Sequence, residues 1–193
     1  MPKILFIILI AALTLLFAFK DTLSPPKGVK RTEVIQKKSP ITEKIPDAAF
    51  IDLEGQNYSI HQFEGKIIIL NFWATWCPPC VEEFPQLLQL AHQEQDNVVF
   101  IALSVDEEPE KINGFLEKLP DTSRTQLRAE NIVIGLDTDK SISRDLYDTI
   151  MYPETFIIDE TLNQKARIAG ITDWLGTDVQ KLLYSDKKEI NDD

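Results

Sequence analysis

Ile67-Ile68-Ile69-Leu70-Asn71-Phe72-Trp73-Ala74-Thr75-Trp76-Cys77-Pro78-Pro79-Cys80 is the stretch on which the reading of this chain turns. Residues 67–73 are apolar except for Asn71 and rich in β-branched and aromatic side chains, the pattern of a strand buried on both faces. Pro78 suits the first position of a helix, where its missing N–H would be unpaired anyway. A strand therefore turns into a helix at the two cysteines, which are the only two in 193 residues. Placed at the helix N-terminus, Cys77 faces free amides and the positive end of the helix dipole, which lower a thiol pKa from about 8.5 by one unit or more. Cys77 is thus the expected attacking sulfur. Cys80, one turn on and more enclosed, is the expected resolving sulfur. The two prolines stiffen the turn but remove amide donors, so a moderate pKa shift is expected, suited to a reductant more than to a strong oxidant.

Other uses of the pair are weaker. A permanent structural disulfide closing so short a loop constrains the unfolded chain little. A zinc site needs two further ligands, and the histidines, His61 and His92, are not spaced for one. A two-cysteine copper(I) site, with Met151 as a further ligand, stays open as an alternative. No resident metal or cofactor is assigned beyond a redox-active Cys77–Cys80 disulfide.

Outward from this stretch, strands are expected at Lys66–Phe72, Val98–Val105, Ile132–Leu136, Thr155–Asp159 and Ala166–Ala169. Helices are expected at Pro78–Gln95, Pro109–Leu119, Ser141–Tyr147 and Asp173–Tyr184. Alternating strands and helices followed by an antiparallel-looking pair describe an α/β sheet with an antiparallel edge. The net charge of -11, with acidic runs such as Asp106-Glu107-Glu108, argues against nucleic acid and reads as solubilising surface. Glu83 lies three residues after Cys80 on the same helix face, so its carboxylate is placed to exchange a proton during thiol chemistry. Pro85 falls inside that helix and is read as a structural kink. Trp73 is read as core, and Trp76 as a partly exposed aromatic beside Cys77.

Asn71-Phe72-Trp73-Ala74-Thr75-Trp76-Cys77-Pro78-Pro79-Cys80-Val81-Glu82-Glu83-Phe84-Pro85 resembles the active-site signature of membrane-anchored thioredoxin-like proteins of the TlpA, ResA and CcmG (DsbE) kind. Residues from Ala49 to Lys66 resemble that family's added N-terminal hairpin. Tyr152-Pro153-Glu154-Thr155-Phe156 is similar to its cis-proline segment, closest to the CcmG branch. The resemblance spans roughly residues 46–183. It implies a thioredoxin-like fold, a mixed central sheet flanked by helices, with a β-hairpin added at the N-terminus.

The resemblance also implies an active-site role for Glu83 beside Cys77 and Cys80. Asn71 stands where ordinary thioredoxins carry a buried aspartate, and an amide cannot shuttle protons, which leaves acid–base work to Glu83 or water. Pro153 is expected in a cis peptide facing the dithiol, against the low general frequency of cis bonds. Trp76, Pro78, Pro79, Tyr152, Pro153 and Glu154 make up the expected substrate-contacting surface, with Tyr152 either touching the sulfurs or narrowing the groove, and Glu154 either rimming that groove or standing as a simple exposed charge.

Residues 1–20 hold an apolar run, Ile4 to Phe19, flanked by Lys3 and Lys20, which reads as an uncleaved signal anchor, with a cleaved signal peptide as the alternative. Residues 21–45, with Pro25-Pro26, Pro40 and many lysines, read as an extended tether, 46–186 as the thioredoxin-like domain and 187–193 as an acidic tail. The cations after the apolar run would by themselves keep the domain cytoplasmic. The resemblance implies the opposite: a single-pass inner-membrane protein with its catalytic domain in the periplasm or an equivalent space. It further implies a thiol:disulfide oxidoreductase that reduces exported proteins, with apocytochrome c as the client in cytochrome c maturation. The implied electron donor is a membrane thiol carrier of the DsbD or CcdA kind. The competing functions are copper handling for oxidase assembly and thiol peroxidation. For the latter, no P-x-x-x-T-x-x-C pattern surrounds Cys77, and a neighbouring second cysteine suits disulfide exchange better.

Overall fold

The structure is a computed structural model that describes residues 44–184. The expected anchor, nearly all of the tether and the acidic tail lie outside the described residues. Within them no helix is long and apolar enough to cross a membrane.

The polypeptide opens with a hairpin, β1 (Ala49–Ile51) paired antiparallel with β2 (Asn57–Ser59). Its turn places Gly55 at φ +83°, a left-handed conformation that favours glycine. The Asp52 carboxylate accepts the Glu54 and Gln56 amides of the same turn, at 3.0 and 2.7 Å. A short 3-10 turn, Ile60–Phe63, leads to β3 (Ile67–Trp73), α1 (Pro78–Gln93), β4 (Val98–Ser104), α2 (Pro109–Leu116), α3 (Asp121–Gln126) and β5 (Ile132–Leu136). A widened helical turn at Ser141–Leu146 precedes β6 (Glu154–Ile158), β7 (Gln164–Ala169) and α4 (Thr177–Tyr184). The five-stranded sheet has the order β5-β4-β3-β6-β7. β3, β4 and β5 run parallel, and β6 and β7 join antiparallel, so the expected mixed sheet with an antiparallel edge and the added hairpin are both present.

Strand periodicity decides which side chains meet. Side chains alternate across β3. Ile67, Ile69 and Trp73 enter the core beneath α1 and α4, built from Phe84, Leu87, Leu88, Leu90, Ala91, Val179 and Leu183. Ile68, Leu70 and Phe72 enter the opposite core with Phe50 and Ile60 from the hairpin region, and with Ile142 and Tyr147. Asn71 thus falls on the α1 face, which is where its partner lies. Gly135 in β5 gives the hairpin room, because a Cβ there would sit 2.5 Å from the Phe50 ring.

Several boundaries move. β3 reaches Trp73 because Trp73 still pairs with Ser104, and β6 begins at Glu154 because Glu154 pairs with Phe72. The last helix begins at Thr177 and not Asp173, since residues 172–174 dock on α1 by hydrogen bonds instead of coiling. α3 follows Pro120 and was not expected; Asp121-Thr-Ser-Arg-Thr-Gln carries no apolar stripe. Ile45, placed in the tether by the sequence, is buried and its N–H donates to the Leu162 carbonyl at 2.9 Å, so folded structure begins ahead of residue 46.

Candidate active site

Cys77 is the residue that caps α1, in an extended conformation, with Pro78 and Pro79 filling the first two helical positions. Its N–H donates to the Ala74 carbonyl at 3.2 Å, closing the turn that leaves β3. Asp106, at the end of β4, fixes that turn from the side. Its carboxylate accepts the Thr75 N–H (2.8 Å), the Thr75 hydroxyl (2.6 Å) and the Ser104 hydroxyl (2.7 Å). The charge-run reading of Asp106-Glu107-Glu108 is therefore corrected at its first residue: Asp106 is buried and saturated with donors, while Glu107 is exposed.

The two sulfurs are joined as a disulfide with Cα atoms 5.3 Å apart. Cys77 is 5% exposed and Cys80 1%, so both residues of the pair are buried in this disulfide state. With prolines at the first two helical positions, neither contributes an N–H toward the Cys77 sulfur.

Glu83 sits where the apolar stripe of α1, which runs Cys80, Phe84, Leu87, Leu88 and Ala91, calls for a hydrophobe, and it is 1% exposed. Its Oε2 accepts the Trp174 indole N–H at 3.0 Å and the Thr172 backbone N–H at 3.2 Å. Its Oε1 accepts the Asn71 side-chain amide at 3.3 Å. Burial disfavours the carboxylate more than these three donors favour it, and the Glu83 pKa is pushed up from 4.5 to about 7. A carboxyl that titrates there both releases and accepts protons at physiological pH.

The Tyr152–Pro153 peptide is cis, as expected. The half-buried Tyr152 ring meets the Trp76 ring edge-on with centroids 6.1 Å apart, so the cis-proline segment and the cysteine turn converge. Trp76 is 59% exposed, and Ile150 and Met151, just before Tyr152, are 83% and 66% exposed. Pro78 is exposed and Pro79 half-buried. Glu154 is neither on the groove rim nor an exposed charge: it is buried in a bidentate pair with Arg167, at 2.7 and 2.9 Å. The same guanidinium donates to the Asp148 carbonyl at 2.7 Å, which braces the loop leading to Ile150 and Met151. Strand alternation explains the burial, because Glu154 opens β6 opposite Phe72 and Ala169 instead of ending in solvent.

A family model described as Redoxin matches residues 40–172. The chain belongs to that family. It is similar to the thiol-disulfide oxidoreductase ResA of Bacillus cereus (strain ZK / E33L), 33% identical over 136 residues that cover 70% of this chain and 73% of that one. It is likewise similar to ResA of Bacillus subtilis (strain 168), 31% identical over 115 residues, spanning 59% of the length of each protein. Among solved structures, a thiol:disulfide interchange protein DsbE from Chlorobium tepidum superposes with TM-score 0.63 at 23% identity, over 74% of this chain and 94% of that one, and shares its fold. The resemblance to ResA- and DsbE-type proteins expected from the cysteine signature is borne out.

Residues that sequence reasoning missed are Trp174, Thr172 and Asp106. A tryptophan some ninety positions after its partner carries no local signal, and a backbone donor such as Thr172 carries none at all. Asp106 was legible only as the acid of its run nearest the end of β4.

Proposed function

We propose that this chain is a membrane-tethered thiol:disulfide oxidoreductase that reduces disulfides in exported proteins. The observation that carries the reading is the Cys77–Cys80 pair at the start of α1, with a buried carboxyl on the same helix and the cis-Pro153 segment beside the Trp76 turn. In the reduced state the Cys77 thiolate attacks one sulfur of a client disulfide. A Cys77–client disulfide forms and the other client sulfur leaves as a thiolate, to be protonated. Cys80 then gives up its proton to Glu83 or water and attacks the Cys77 sulfur. The intramolecular disulfide forms and the client leaves as a dithiol, two electrons richer. A membrane dithiol carrier of the DsbD or CcdA kind returns the electrons by the reverse exchange. The catalytic domain belongs in the periplasm or its equivalent, where such electrons are scarce.

The proposed client is the C-x-x-C-H segment of apocytochrome c, a reading that rests on the likeness to ResA- and DsbE-named proteins. The exposed apolar side chains Trp76, Ile150 and Met151 suit contact with a segment of a partner. The test uses the full-length Cys80→Ser protein with an oxidised C-x-x-C-H peptide. A covalent adduct through Cys77, absent from Cys77→Ser, is expected. An adduct that forms equally well without Cys77 contradicts the assignment of roles. Normal cytochrome c content in cells carrying Cys77→Ser rejects the client.

A further inference from the structure

Glu83 receives its hydrogen bonds unevenly. Oε2 takes two N–H donors, from the Trp174 indole and the Thr172 backbone, whereas the donor to Oε1 is the longer Asn71 contact. Both donors to Oε2 come from one segment, residues 172–174, between β7 and α4. That segment is fastened to α1 a second time, by the Trp174 backbone N–H donating to Gln86 Oε1 at 3.1 Å, one turn beyond Glu83. The Trp174 side chain is fully buried, and the Gly176 N–H donates to the Asp173 carbonyl at 3.1 Å, closing the segment into a tight turn.

An N–H donor cannot accept a proton, so Oε2 stays an acceptor in both states of the carboxyl. The Oε1 side is adaptable. Asn71 Nδ2 donates both to Oε1 and to the Thr155 hydroxyl (2.8 Å), while Asn71 Oδ1 is buried without a partner. Turning the amide over presents Oδ1 to a protonated Oε1, and the Thr155 hydroxyl then donates instead of accepting. The groups that bond to Glu83 are Asn71 from β3 and Thr172 and Trp174 from the β7–α4 connection, and Cys80 lies one turn earlier on the same helix, likewise buried. Glu82 and Asp173 beside them in sequence are exposed.

We infer that residues 172–174 are a positioning strap for the active-site carboxyl: Trp174 and Thr172 hold Oε2 as a fixed acceptor, so that Glu83 gains and loses its proton at Oε1, against the reversible Asn71–Thr155 amide. Trp174 is on this account a positioning residue that acts through Glu83. The inference rests on the reading of Glu83 as the acid–base group of the exchange.

The experiment follows the indole N–H resonances of the oxidised, nitrogen-15-labelled full chain between pH 5 and 9. The Trp174 signal is expected to shift with the midpoint of Glu83, and Glu83→Gln is expected to abolish that shift. An indole indifferent to pH, or one whose titration survives Glu83→Gln, overturns the strap. In Trp174→Phe, which keeps a ring but loses the donor, the Glu83 midpoint read from its carboxyl carbon is expected to rise by about one pH unit, a tenfold change in proton affinity. An unchanged midpoint in a folded Trp174→Phe protein overturns the strap as well. Should that variant not fold, the indole titration of the wild-type chain decides alone. Disulfide exchange by Glu83→Gln at the wild-type rate, together with a titrating Trp174, rejects the acid–base reading while supporting the strap.

Discussion

Replacing Glu83 by Gln separates the cost of burying a carboxylate from everything else the residue does. In the unfolded chain the group titrates near 4.5, and in the folded protein near 7. Below the lower value both states hold the proton and burial costs nothing. Between the two values the unfolded state ionises while the folded state keeps its proton, so stability falls as pH rises, and above the higher value the loss is complete. A separation of two to three units at about 1.4 kcal/mol each makes the loss about 3 kcal/mol. Glutamine cannot ionise, and its side-chain oxygen still accepts from Trp174 and Thr172. The oxidised wild-type and Glu83→Gln proteins are unfolded in urea at pH 4.5, 5.5, 6.5 and 7.5, with tryptophan fluorescence as the probe. Relative to the variant, the wild-type midpoint should fall by about 1–3 M across this range, from typical urea slopes. A midpoint difference that stays flat with pH, or one that turns against the wild type as pH falls, refutes the raised pKa and the acid–base role built on it.

Two further outcomes follow from packing. Gly135→Ala drives a methyl group into the Phe50 and Leu103 side chains, with contacts of 2.5 and 2.6 Å, and overpacking of this kind should cost about 1–3 kcal/mol in chemical denaturation; a loss under about 0.5 kcal/mol would show that the hairpin shifts freely. Asp106→Ala strips the acceptor from the Thr75 N–H, the Thr75 hydroxyl and the Ser104 hydroxyl, and should destabilise by about 2–3 kcal/mol. It should also slow alkylation-resistant mixed-disulfide formation at Cys77, and an unchanged exchange rate would show that the turn holds without its clamp.

What was legible in the sequence came from short-range patterns. The run Ile67–Trp73 followed by Cys77-Pro78-Pro79-Cys80 identified β3, the start of α1 and the two sulfurs, because strand periodicity and proline geometry act over a few residues. Glu83 was legible because it shares a face with Cys80. Its surroundings were not, since the Trp174 indole, the Thr172 amide and the Asn71 side chain arrive from three separate places in the chain. Glu154 and Asp106 were misplaced for one reason. An acidic residue is exposed unless a partner is known, and the partners, Arg167 and the Thr75 turn, are set by strand register rather than by neighbours in sequence. The start of the last helix was likewise misread because Trp174 fits an amphipathic stripe as well as it fits the strap that it actually forms.

The most direct test of the account is the equilibrium reduction potential of the Cys77–Cys80 pair in the full-length protein, read by tryptophan fluorescence against dithiothreitol or glutathione buffers. Prolines at the first two positions of α1 offer the Cys77 thiolate few amide donors, and a thiolate so weakly stabilised leaves the disulfide hard to reduce. A reductase built this way should show a potential near or below that of thioredoxin, about -270 mV. A potential near that of DsbA, about -120 mV, would mark a disulfide donor and contradict the reductase reading.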